Sequence, residues 1–307
     1  MTCRSDRSGR AVLCVAFLAL STPALADSLD AQLGPRTIAL GDSMRGDARG
    51  AQSIALNPSG LPGNTELSFE GSYGYGFHDG ASIVSASGCD STNPVPGCFY
   101  YRYFTASPEI EGSELSRRAH EGGGTLSRAL SRRLFAGVNI KYFDYESTVP
   151  GEEDSSGFTV DAGATLMLMP QLRLGLVGHH LFGKQSVHYP RALGTGMVFR
   201  PLPQLSLSFD ALWRLERPEG ESTGRYGGGI EYFLQSSDRQ SGYPIRLGAV
   251  HDVAKSGTYV GGGLGFMAAK VGLDVALKRQ VSGGDEMILQ ASLRIFGPRP
   301  TRAGRFR

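Results

Sequence analysis

The chain has 307 residues, 31 Lys+Arg against 29 Asp+Glu, and 40 % hydrophobic residues. A formal net charge of +2 excludes the basic footprint of a nucleic-acid binder. Beyond the leader no run of about twenty apolar residues occurs, which excludes helical membrane spans. The negative mean hydropathy does not exclude a membrane, because half of every barrel strand faces a polar interior.

In chain order, residues 1–26 read as a cleavable secretory signal. Arg4, Arg7 and Arg10 form the positive region, Ala11 to Leu20 the apolar region, and Ala24-Leu25-Ala26 the cleavage site. Cys14 does not make this a lipoprotein signal, since Leu13 is too bulky for the residue before a lipidated cysteine. The leader takes three Arg and one Asp with it and leaves acidic and basic residues in balance.

Residues 27–63 lack a sustained period of two. They carry Gly41, Gly46 and Gly50 and end in Asn57-Pro58-Ser59-Gly60-Leu61. Small residues let irregular backbone pack inside a lumen, where protein rather than lipid surrounds it. This segment is expected to form a hatch, with a loose leader to the barrel as the alternative.

From residue 64 to 297 the pattern becomes apolar/polar alternation in segments of about ten residues. Leu205 to Leu215 shows it best: Leu205, Leu207, Phe209, Ala211 and Trp213 share one face, and Ser206, Ser208, Asp210 and Arg214 the other. Strands of this length, tilted, match the roughly 25 Å apolar band of an outer-membrane barrel. Lipid permits no open sheet edge, so the strands must close. The fold class is therefore all-β, a transmembrane antiparallel β-barrel of about fourteen strands, with twelve as the lower count because Gly122-Gly123-Gly124 dilutes the fourth. A sandwich, propeller or β-helix fits less well, since the only internal repeat is the short motif RRLFAGVNI, PQLRLGLVG, PQLSLSFDA. Short turns around Ser131-Arg132, at Pro170-Gln171, at 201–204 and at 268–270 all fall on one side, and longer loops on the other. The segment 235–243 and the cysteine-bracketed turn are long for the short side. Arginine at outward Phe209 should cost far more than at inward Ser208.

Cys89 and Cys98 bracket a turn-like DSTNPVPG, and in an exported chain the simplest reading is a disulfide holding that hairpin alone. Parity places Lys141, Asp161, Arg173, Asp210, Arg214, Arg225, Glu231, Arg246, Asp252, Asp274, Lys278 and Arg294 toward the lumen. An open selective pore carries one sign at its constriction. Mixed signs instead point to pairing in a closed lumen, and Asp210, Arg214, Glu231, Arg246, Asp274 and Lys278 are its candidate charge network. No catalytic constellation stands out: there is no GxSxG elbow, and His179 and His180 should point to opposite faces of their strand. No enzyme activity, metal or cofactor is expected. Residues 298–307 form a basic tail with Arg299, Arg302, Arg305 and Arg307.

The stretch GPRTIALGDSMRGDARGAQSIALNPSGLP resembles the opening of FadL-like outer-membrane proteins, a superfamily that includes PorV-type barrels. Arg36, Leu40 and Gly41 match the first element of that opening, and Asn57, Pro58, Gly60 and Leu61 the second. Asp42 and Ser59 depart, where the family tends to have Gly and Ala. Asp210, Glu231, Arg246 and Asp274 match inward positions of the later strands, while His180 stands where Asn is usual. The resemblance implies a bacterial outer-membrane barrel passing small hydrophobic molecules by passive diffusion. The same superfamily also implies a second function, a PorV-like scaffold for a secretion, attachment or motility apparatus. Partners would be outer-membrane lipid together with hydrophobic solutes in the first case, or periplasmic or surface proteins in the second. No nucleic acid is expected in either.

Overall fold

The computed structural model describes residues 34–63, 65–110, 113–184, 186, 189–215, 224–237 and 241–298. The leader at 1–26 and the arginines of the tail lie outside these residues. Fourteen strands form one closed antiparallel barrel. They are β1 (Leu67–Gly76), β2 (Ser82–Asp90), β3 (Gly97–Ala106), β6 (Arg117–Ala129), β7 (Leu134–Ser147), β8 (Ser155–Met169) and β9 (Leu172–Gly183), followed by β10 (Ala192–Leu202), β11 (Leu205–Arg214), β12 (Gly224–Gln235), β13 (Gly242–Asp252), β14 (Gly257–Met267), β15 (Val271–Ser282) and β16 (Met287–Phe296). Between β3 and β6 a loop folds into a small ribbon, β4 (Glu109–Ile110) and β5 (Ser113–Glu114). Closure comes from β1, which pairs with β2 on one edge and β16 on the other. Every strand meets its sequence neighbour, so the topology is up-and-down throughout, and the higher of the two expected strand counts is the right one.

The alternation sorts side chains by solvent. Phe99 is 79 % exposed, and Phe69, Leu176, Phe209, Leu247 and Leu264 are likewise exposed on the outside. On the inside, Arg102, Lys141, Asp161, Asp210, Arg246 and Asp274 are buried. That inversion of the usual globular pattern is the one expected where the outer solvent is hydrocarbon. Gly122-Gly123-Gly124 does not interrupt β6; it lets the wall approach Tyr100 and the backbone of β7 closely.

The hatch enters from the end of the barrel where β1 begins, which is the side of the short turns. It is built from two single-turn helices, Pro35–Ala39 and Ala51–Ala55, and two 3-10 turns, Arg45–Asp47 and Pro58–Gly63. Ile38, Ala39, Leu40, Met44 and Leu56 have no exposure, so the segment sits inside the barrel. A belt of wall glycines makes the room. A Cβ on Gly137 would overlap Pro58, one on Gly163 Asn57, one on Gly175 Arg45, and one on Gly248 or Gly261 would strike the backbone of Leu40 or Ile38. Asp42 and Met44 hold left-handed backbone, φ 56° and 98°. Such conformations persist only where the surroundings over-determine them.

The lumen beside Ser208 is thus filled. Ser43 Oγ lies 2.6 Å from Ser208 Oγ. Arginine at Ser208 would displace the hatch, which corrects the expectation that it would be the mild substitution. Arginine at Phe209, midway along β11 and facing lipid, is expected to cost about 2–4 kcal/mol, and at Val281 near the outer rim about 0–1 kcal/mol. Equilibrium unfolding into urea from detergent or liposomes measures both, and equal costs would contradict the lipid boundary.

A second correction concerns β9. His179 and His180 are both buried rather than split between faces. The pairing of β8 with β9 skips from Val160↔Phe182 to Ala162↔Gly178, leaving three residues of β9 opposite Asp161. His180 takes φ 53° within this bulge, and its backbone N–H donates to Asp161 Oδ1 at 2.9 Å. Parity fails where a bulge inserts extra residues, and the sequence carries no marker of it.

Candidate functional site: the hatch and its grip on the wall

The hatch bears charges in short alternation, Arg36, Asp42, Arg45, Asp47 and Arg49, and each meets an opposite charge. Arg36 donates through Nε and Nη2 to Glu231 at 2.7 and 2.8 Å, and also to Gln52. Glu231 accepts in turn from Arg246 at 2.7 Å, and Arg246 donates to Asp274 at 2.5 Å. Three residues of the expected charge network, Glu231, Arg246 and Asp274, therefore form one ladder that ends on the hatch.

The other three go elsewhere. Lys278 pairs with hatch Asp42 at 2.6 Å, and Arg225 joins the same carboxylate. Asp210 accepts from the backbone N–H of Arg45 at 2.8 Å and from its guanidinium at 3.1 Å. Arg214 is half-buried at the outer end of β11, and the ion pair of Asp210 is with hatch Arg45. The expected network is thus only partly wall to wall: the hatch supplies the counter-charges of Asp210 and Lys278, and a second partner for Glu231. Desolvated charges need such partners, since an unpaired one is costly. Wall pairs outside the expected network complete the interior: Arg102 with Glu121 at 2.9 Å, neither of which parity had singled out, and the inward Arg294 with Glu70 at 2.8 Å.

Asp47 is the most heavily gripped group. Its side chain has no exposure, Arg49 lies 3.0 Å away, and Arg173 and Arg200 reach in from β9 and β10. Nothing in the strand pattern marked Asp47 or Arg200; the signal available was a row of charges inside a segment otherwise made of small residues.

The motif residues Asn57, Pro58, Ser59, Gly60 and Leu61 are all buried. Asn57 is the hub. Its Nδ2 donates to the carbonyls of Arg45 at 2.9 Å and Ala164 at 3.2 Å, while its Oδ1 accepts from Ser59 N–H and Oγ at 3.1 and 2.7 Å. Ser59 Oγ also lies 2.7 Å from Thr165 Oγ1, and the Pro58 carbonyl accepts from Ser127. Gly60 approaches Ala48 so closely that a Cβ would overlap it. One asparagine thereby joins both halves of the hatch to β8.

Cys89 and Cys98 face each other across β2 and β3 as a bonded pair. They point inward and pack with Tyr100 against Ile54 and Leu61 of the hatch. The bridge therefore touches the plug as well as the hairpin. Cys89→Ser with Cys98→Ser is expected to cost about 2–3 kcal/mol by freeing the unfolded chain, and to loosen the contact with Ile54. Non-reducing peptide mapping should find the two linked, and alkylatable thiols would contradict this.

At the outer mouth, Ile83, Phe104, Ala119 and Tyr145 form an apolar cluster. Beside it the loop 148–154 is tied down by Glu152, which accepts from Arg117 Nε at 2.9 Å, Tyr145 at 2.8 Å and Ser147 at 2.6 Å. Partial burial pulls the Glu152 carboxyl upward, but the hydrogen bonds from Arg117, Ser147 and Tyr145 outweigh it and hold the group at about 2. A depressed carboxyl stabilises the loop fully above its ordinary value of 4.5 and loses that contribution as pH falls through about 2. The carboxyl carbon shift of Glu152 should titrate near 2; a midpoint near 4.5 would contradict the tether.

On the outside, an apolar groove of about 970 Å³ runs between Phe69 and Phe99 over Gly71, Ala86 and Gly88.

Together these features define a closed fourteen-stranded outer-membrane-type barrel whose lumen is filled by its own N-terminal segment. No family model matches the sequence, and no curated protein does. Solved structures do match in fold. The CymD monoaromatic hydrocarbon channel has a TM-score of 0.65 at 13 % identity, over 87 % of this chain and 97 % of its own. The Ralstonia pickettii toluene transporter TbuX follows at 0.62 and 12 %, over 88 % and 99 %. The Pseudomonas putida toluene transporter TodX stands at 0.60 and 11 %, over 86 % and 97 %. This chain shares its fold with these three solved channels.

Proposed function

We propose that this protein resides in the bacterial outer membrane and passes small hydrophobic molecules across it by passive diffusion. The observation that carries the reading is the hatch, seated in the lumen by ion pairs and hydrogen bonds to the wall. Such a plug bars a water-filled path, so that passage of a solute requires the hatch to yield locally. The apolar cluster at the outer mouth and the apolar groove on the wall suit a hydrophobic solute. The solved channels of the same fold, named for toluene and monoaromatic hydrocarbons, support the solute class.

The test is uptake of radiolabelled toluene by proteoliposomes holding the purified protein and an internal toluene-trapping phase. Uptake faster than in empty liposomes, without matching leakage of a polar sugar, is expected. Equal rates with and without the protein would overturn the transport reading and leave a scaffold for secretion, attachment or motility proteins as the better account.

A further inference from the structure

The groove between Phe69 and Phe99 has its cause in the register of three strands. Phe69 pairs with Gly88, and Gly88 with Phe99, so one glycine separates two outward rings. One outward row nearer mid-membrane, Gly71 pairs with Ala86 and Ala86 with Tyr101, which continues the trough along β2. The β1–β2 and β2–β3 ladders run unbroken beneath it. The groove is therefore a feature of the lipid-facing surface and not a window into the lumen.

Beside it, the turn joining β6 to β7 reads Arg128-Ala129-Leu130-Ser131-Arg132-Arg133. Ser131 Oγ accepts from the backbone N–H groups of Arg133 and Leu134 at 3.2 and 3.0 Å, which fixes the turn. Arg128, Arg132 and Arg133 are all exposed, and none has an ion pair among the described residues. The other short turns, at 170–171, 203–204 and 268–270, hold a single cation between them, Lys270. Exposed Leu126 and Leu130 flank Arg128, so the cations stand where the apolar belt ends. Gly88 lies two strands from Gly124, and Gly124 four residues from Arg128. That puts the groove about 10 Å to the side of Arg128 and about 13 Å deeper in the membrane. Asp90, at the groove's rim, is occupied by its own loop, accepting from Thr92 N–H and Oγ1 and from Asn93 Nδ2.

We propose that this flank binds one anionic phospholipid from the leaflet on the short-turn side. Arg128, Arg132 and Arg133 hold its phosphate, and an acyl chain lies in the groove over Gly88. Guanidinium forks match phosphate oxygens through paired hydrogen bonds. Cations without a counter-charge favour a lipid of net negative charge over a zwitterionic one. The offset between the arginines and the groove is that of a phospholipid, whose chain descends from the headgroup into the hydrocarbon. The proposal rests on the reading of the chain as a membrane barrel and not on transport. Binding is measured without flux, so the two fail separately.

The experiment uses the full chain refolded in detergent micelles, with folding read from heat-modifiable gel migration. Phosphatidylglycerol and phosphatidylethanolamine with matched acyl chains are titrated in, and the lipid retained is counted by native mass spectrometry. Wild type is expected to hold one phosphatidylglycerol at least about tenfold more tightly than phosphatidylethanolamine. The triple variant Arg128→Gln, Arg132→Gln, Arg133→Gln should lose that preference. Gly88→Val fills the groove, and its Cβ would meet only the Phe69 ring. It should weaken both lipids about tenfold and keep the ratio between them. Equal retention of the two lipids by wild type, or an unchanged preference in the folded triple variant, would overturn the headgroup site. Undiminished retention by folded Gly88→Val would overturn the seat of the chain. A lipid-free dimer that Gly88→Val dissociates would assign the groove to a second copy and overturn the proposal.

Discussion

Replacing Asp47 with alanine is expected to release the hatch while leaving the barrel closed. The carboxylate has no exposure and lies among the guanidinium groups of Arg49, Arg173 and Arg200. Its removal leaves three cations facing one another across a small volume. Breaking a buried pair by deleting one partner costs about 3–5 kcal/mol, because the other charge stays desolvated. The wall itself loses nothing, since its strands are joined by their own backbone ladders. The strain falls on the docking of residues 34–63, which the cations are expected to expel. Single-channel conductance in planar bilayers should rise or become noisy, while gel migration still reports a folded barrel. Arg200→Ala added to Asp47→Ala should restore part of the closure, as coupled neighbours behave non-additively. Unchanged conductance in a folded Asp47→Ala barrel would contradict the electrostatic grip.

Asn57→Ala is expected to act on the other half of the hatch by a different route. It removes the partner of Ser59 N–H and one each from the carbonyls of Arg45 and Ala164, and leaves Ser59 Oγ with Thr165 alone. Each buried polar group left without a partner costs about 1–3 kcal/mol, and relaxation toward Thr165 recovers part of that. A net loss of about 3 kcal/mol is expected, confined to residues 51–63 and their contacts with β8. Asn57→Asp should fare worse than its shape suggests, because a carboxylate would face the same carbonyl oxygens with no proton to donate. Hydrogen exchange of residues 51–63 in Asn57→Ala should approach that of exposed loops, with the strands of the wall still protected. Equal protection in variant and wild type would show that the motif does not hold the hatch.

The strands were readable because lipid outside and a polar interior impose one rule on each of them. Leu205–Arg214 obeys it through Asp210, and so the faces of that stretch follow directly from the residues, while the alternation lapses from Ala211 on and the strand ends at Arg214. Where another constraint intervenes, parity loses its meaning. At His180 a bulge around Asp161 overrides alternation, and nothing local announces it. The charge network was legible in composition but not in pairing. Wall residues such as Asp210 and Lys278 were placed inward, but their partners Arg45 and Asp42 belong to a segment with no periodicity to reveal its path. The belt of glycines shows the same limit. Gly137 and Gly175 read as gaps in a strand pattern until the hatch backbone is seen lying against them.

The central claim, that residues 34–63 occupy the lumen, is tested most directly by a cross-link in native membranes. Ser43 of the hatch and Ser208 of the wall have their hydroxyl oxygens 2.6 Å apart. Cysteines at these two positions, in protein assembled in the outer membrane, should form a disulfide in nearly every molecule, seen as a linked peptide pair in non-reducing mass mapping. Both thiols remaining free and open to a water-soluble alkylating reagent would mean that the hatch lies outside the barrel, and the account would be wrong.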